Sequence, residues 1–104
     1  MAKRKNERND GIIQARVLDY PHGVRAFEHV QMIRIKSKDY SLLIMDDYMP
    51  IIGQIEGSVE IVQKDGILPI ENIKGFYMHR ENEFSLLIES QQESAAAKEE
   101  TAND

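Results

Sequence analysis

The stretch SLLIMDDYMPIIGQIEGSVEIV, residues 41–62, decides how the rest of this chain is read. It is the most apolar segment of the sequence, yet its centre holds Asp46, Asp47, Tyr48, Met49 and Pro50. After that centre, Ile55, Val59 and Ile61 alternate with Glu56 and Glu60. That period of two places one face of a β-strand in a core and the other in water. Before it, YSLLIM (40–45) is a short unbroken apolar run, the pattern of a fully buried strand. The polar interruption therefore reads as a loop between two strands, closed by Pro50. Gly53 and Gly57 predict a bend or bulge at the start of the second strand.

The same vocabulary runs outward in both directions. IIQARVL (12–18) is rich in branched residues and stops at the turn cluster DYPHG (19–23). In VRAFEHVQMIRIK (24–36), Ile33 and Ile35 alternate with Arg34 and Lys36, and SKD closes that segment. KDG (64–66) is a hairpin signal. ILPIENI contains Pro69, which assigns it to a sheet edge. GFYMHR (75–80), ENE and FSLLIE (84–89) form a last hairpin. Short strands with turn signals about every ten residues predict an all-β fold class: a two-layer β-sandwich of about eight short, mostly antiparallel strands with flexible termini. Residues 11–89 form the domain. Residues 1–10 form a basic, disordered arm, and residues 90–104 a polar tail, disordered or marginally helical.

Composition narrows the function. The net charge is −5, and the four bases of the arm (Lys3, Arg4, Lys5, Arg8) are offset by an acidic body. An acidic body lacks the clustered positive surface that phosphate binding needs, so nucleic acid is not expected as a partner. The arm reads as a solubilising extension. There is no cysteine, hence no disulfide framework and no thiolate metal site. No apolar run approaches the roughly 20 residues of a membrane span, and no signal peptide is evident, so the expected location is the cytoplasm.

No catalytic constellation is found. Asp46 and Asp47 are adjacent, but neighbours on a strand point to opposite faces, and no regular series of oxygen ligands follows them. His22, His29 and His79 match no zinc spacing and read as surface or half-buried structural side chains. No metal, cofactor or catalytic residue is expected. Tyr48 and Met49 stand out as large amphipathic side chains on a loop tip, a placement suited to a protein partner. Asp47, Tyr48, Met49 and Pro50 are the candidate partner-binding residues. The competing reading has this loop fold back over the core. A small-ligand or regulatory binding domain is the alternative function and would need a concave apolar pocket. The edge marked by Pro69 is open to a second copy, which would give a homodimer by strand addition.

Residues 12–89 resemble the N-terminal β-sandwich of the epsilon subunit of F-type ATP synthases. The segments VLDYPHGVRAF, LLIMDDYMPII, IEGSVEIV and IKGFYMHRENEFSLLIES fall in that family's order. Pro50 takes the place of the second proline in its Gly-x-Leu-Pro-x-His-x-Pro-Leu loop, Ile51 that of the leucine after it, and Gly75-Phe76 that of its late Gly-Phe. Tyr48 stands at the family's histidine and Asp46 at its earlier proline, and the C-terminal helical hairpin has no counterpart. The resemblance implies a docking role towards rotor-stalk subunits, with the loop around Tyr48 and Pro50 as contact surface.

Overall fold

The computed structural model describes residues 11–92. The arm at 1–10 and the tail from residue 93 onward lie outside the described residues. The chain is all-β. Its six strands are β1 (Ile13–Asp19), β2 (Gly23–Ser37), β3 (Tyr40–Ile44), β4 (Ile51–Gln63), β5 (Gly66–Arg80) and β6 (Glu83–Gln91). They form one sheet in the order β1-β6-β5-β4-β2-β3, and a further pairing of β1 with β2 closes it. The result is a five-stranded barrel with β3 attached outside the ring, not a two-layer sandwich of about eight strands. β1 makes the closure. It runs antiparallel to residues 23–30 of β2 and parallel to residues 83–88 of β6.

The expected strand count is too high because a bulge inside a continuous strand interrupts the alternation just as a break between strands does. ILPIENI and GFYMHR are one strand, β5. Its interior face shifts register midway: Leu68 and Ile70 point inward, then Ile73, Tyr77 and His79. Asn72, with φ 59°, sits at that step, where β4 also slips between Gly57 and Val59. A bulge of this kind keeps the strand continuous while bending it sharply. His29, with φ 58°, marks a similar bulge in β2. Beyond it, residues 30–37 turn away from β1 to pair with β4, and residues 33–37 also hold β3 on their other side. Bends of this kind curl a sheet until its ends meet.

Gly57 and Gly75 permit the corners. A Cβ on Gly57 would run into the Lys36 carbonyl oxygen, and one on Gly75 into the Leu87 carbonyl oxygen. The Gly57 bend was legible in the sequence. The core fills the barrel with one face of each strand, including Ile13, Val17, Ile33, Ile35, Ile55, Ile61, Phe84 and Leu86. β3 departs from its expected burial on both faces: only Ile44 is buried and Leu42 half-buried, while Ser41 and Leu43 face solvent. It is an edge strand, so only one of its faces has a layer to meet. Pro69 does lie on an edge, since residues 66–70 of β5 pair with β4 alone.

Candidate functional site

The loop between β3 and β4 closes one end of the barrel. Asp47 holds φ 63°, and the Tyr48 N–H donates to the Met45 carbonyl at 3.1 Å, tightening the turn. A second tip is tied to it. The Asp47 N–H donates to Asn82 Oδ1 at 2.9 Å, and Asn82 Nδ2 reaches Asp47 Oδ1 at 3.4 Å. Asn82 belongs to the β5–β6 turn, and its own carbonyl accepts from Gln14 N–H at 2.9 Å. Asp47 thus acts as a structural tie between the β3–β4 loop and the turn of the β5–β6 hairpin. Neither Asp46 nor Asp47 hydrogen-bonds a histidine among the described contacts.

The four candidate residues divide by burial. Met49 is 64% exposed and Pro50 is exposed, as a loop tip would have them. Tyr48 folds back and is half-buried against the core. Its ring meets His79 edge-on, with centroids 6.4 Å apart. His79 is wholly buried, in contrast to the surface or half-buried placement its sequence context suggests. It lies on the inward face of β5, with Phe84 on the other side at 6.3 Å. Neither ring nitrogen has a hydrogen-bond partner. Burial disfavours the charged imidazolium and holds the pKa below its ordinary value. Tyr48 is therefore a plug over a neutral histidine. Tyr48→Ala is expected to let water reach the ring, move the His79 titration up toward 6.5 in an NMR pH series, and cost roughly 2 kcal/mol of stability.

The loop leads into a feature that the sequence analysis did not single out. Ile52, the second residue of β4, is 74% exposed and sits opposite Met78, which also faces out. One step along β5, Phe76 lies opposite Leu87 of β6. Leu87 is in register with Leu18 of β1, and Leu18 with Val24 of β2, which is 62% exposed. An apolar stripe thus crosses the outer wall of the barrel, over β5, β6, β1 and β2, with Ile52 and Met49 at one end. The signal was present as apolar residues side by side: Ile51-Ile52, Leu86-Leu87 and Phe76-Tyr77-Met78. In a strand, one member of each such pair must face outward.

Two polar clusters have structural roles. Tyr77 is buried beneath Gly53, whose missing side chain makes room for the phenol ring. Its hydroxyl lies 2.9 Å from that of Tyr40, which in turn donates to the Gln54 carbonyl. Burial first, then the Tyr40 contact, pushes the Tyr77 pKa well above its ordinary value. Asp19 anchors the β1–β2 turn, accepting from His22 N–H at 2.7 Å, with His22 Nδ1 at 3.0 Å and Arg25 at 3.4 Å. Burial alone would raise its carboxyl pKa. The His22 hydrogen bonds and the charges of His22 and Arg25 outweigh that and hold it below the usual value. Each cluster borders an open groove, of about 710 Å³ by Tyr40 and Tyr77 and about 750 Å³ by Asp19 and His22. At each groove the named cluster has its polar groups engaged with one another. Among the described residues no three His, Asp or Glu side chains converge as a metal ion requires, and no helix is long and apolar enough to cross a membrane.

No known family's sequence profile matches the chain, and no curated protein does. A solved structure does resemble it: the central stalk and c-ring of the Tetrahymena thermophila mitochondrial ATP synthase. The match has a TM-score of 0.58 at 13% identity, covering 86% of this chain and 86% of that one. At that identity the likeness shows a shared fold.

Proposed function

We propose that this domain is a non-enzymatic docking module, similar to the epsilon-subunit β-domain, that seats a larger protein assembly on the apolar outer wall of its barrel. The observation that carries this reading is the unbroken row Phe76–Leu87–Leu18–Val24, with Met78 and Ile52 beside it. A monomeric soluble protein rarely leaves so much contiguous apolar surface unpartnered. Met49 and Pro50 extend that surface at the loop end, and Tyr48 and Asp47 fix the loop that carries them. The structural neighbour's place in an ATP synthase central stalk and c-ring supports a partner of the rotor-stalk kind. The role needs no cofactor, and the site lies on the soluble face of the assembly.

The test is affinity capture of the tagged chain from its own host, followed by mass spectrometry, with the wild type and the exposed-residue variants Leu87→Asp and Met78→Asp. Both side chains point away from the core, so melting temperatures should shift by only a few degrees. A charge buried in an apolar interface should reduce capture about tenfold or more. Equal recovery of the same protein by wild type and both variants would remove the outer wall from the function.

A further inference from the structure

β3 is the one strand outside the closed ring, and among the described residues nothing pairs with its outer edge. The two-residue turn at Lys38–Asp39 makes Ser37–Tyr40 the closing hydrogen-bonded pair of the β2–β3 hairpin. Tyr40, Leu42 and Ile44 therefore aim their backbone groups at β2, and Ser41 and Leu43 aim theirs outward. The strand reads Tyr-Ser-Leu-Leu-Ile, with no charge, proline or bulge to blunt it. Natural edges carry such devices because an unguarded one recruits another strand. Another open edge, residues 66–70 of β5, is guarded: Pro69 has no N–H to offer, and the bulge at Asn72 ends the extended run.

We propose that β3 pairs antiparallel with β3 of a second copy, about a two-fold axis through Leu42. Charge selects both the partner and the register. Centred on Leu42, Ser41 faces Leu43 of the other copy and both exchange their outward hydrogen bonds. Lys38 then lies alongside Asp46 of the other copy, once at each end. Centring on Leu43 would set Asp39 against Asp47, a like-charge pair. An in-register parallel pairing would stack Lys38 on Lys38 and the two aspartates on themselves. The surface is separate from the outer-wall stripe, so a dimer leaves that wall free. A five-residue strand pair buries less than the roughly 1,200 Å² of a stable interface, so Kd is expected on the order of 10–100 µM.

Sedimentation equilibrium of the full chain tests this directly. The mean mass should climb from 12.0 kDa toward twice that value across this concentration range. Leu43→Pro removes an outward N–H and keeps those facing β2. It should hold the chain at the monomer mass with its circular dichroism unchanged. Because the chain has no cysteine, Leu42→Cys reports the register independently and should yield a disulfide-linked dimer on mild oxidation under native conditions. A mass of 12.0 kDa at every concentration overturns the proposal, as when residues outside 11–92 cover the edge. So does a dimer that survives in folded Leu43→Pro, or the absence of cross-linking through Cys at position 42.

Discussion

Gly75→Ala is expected to unfold the domain. The added methyl group would occupy the space of the Leu87 carbonyl oxygen and crowd the Ile88 Cα. Those atoms are backbone of β6, at the slip in register between β5 and β6 around Lys74 and Gly75. A side chain could rotate aside, but a paired strand cannot move without giving up its hydrogen bonds to β5 and β1. Overpacking alone costs about 1–3 kcal/mol, and forced separation of strands adds to it. A domain of this size holds roughly 4–12 kcal/mol in total. Thermal melting and circular dichroism should show a largely unfolded chain at 37 °C. Gly66→Ala is the control. It meets nothing within 4 Å and should melt within a few degrees of the wild type. Equal melting temperatures for the two variants would mean that the barrel corner at Gly75 tolerates a side chain.

The second large effect lies in the pH dependence of stability. His79 is buried, neutral and without a hydrogen-bond partner, with its pKa held below the ordinary value by loss of solvation. In the unfolded chain the imidazole takes a proton near pH 6.5. The folded state resists doing so. Stability from this group is complete above pH 6.5 and falls as the pH drops below it, by up to about 1.4 kcal/mol per unit until the folded pKa is reached. Asp19 works in a different window. Its depressed carboxyl pKa adds stability that is lost only as the pH falls below its ordinary 3.8. Denaturation midpoints between pH 4 and 6.5 therefore report mainly on His79. His79→Leu, close in size and without nitrogens, should flatten that slope and add on the order of 1 kcal/mol at neutral pH, because two unsatisfied buried atoms disappear. An unchanged acid limb in His79→Leu would assign the slope to other groups.

Much of this architecture was legible in residue alternation. The strands, the loop at Asp46–Pro50, the bend at Gly57 and the edge at Pro69 follow from period-two patterning and from turn chemistry. Closure was not legible. A sandwich and a barrel have the same inward-outward alternation, and what separates them here is β1 pairing with both β2 and β6, which no local pattern encodes. The bulges were partly hidden because Asn72 and His29, rather than glycines, hold the left-handed positions. At the loop between β3 and β4, the sequence reading overrated Tyr48 as an exposed anchor. An amphipathic ring serves as well for a plug, and the choice turned on His79, 31 residues later in the chain, arriving beneath it. The outer wall is written in the side-by-side apolar pairs, since each such pair in a strand sends one member outward.

The parallel pairing of Gln14 with Glu83 has a kinetic consequence. The β4–β5 hairpin is local and can zip from its own turn. The ring cannot close until strands from opposite ends of the domain meet, and that meeting carries the largest loop-closure entropy in the molecule. β1 is thus the latch that falls last, and the refolding barrier sits at that encounter. Until it is crossed, β6 and the free flank of β1, which pairs with β2 through its own short turn, stand open, which makes the nearly finished barrel the most aggregation-prone species on the way to the native state.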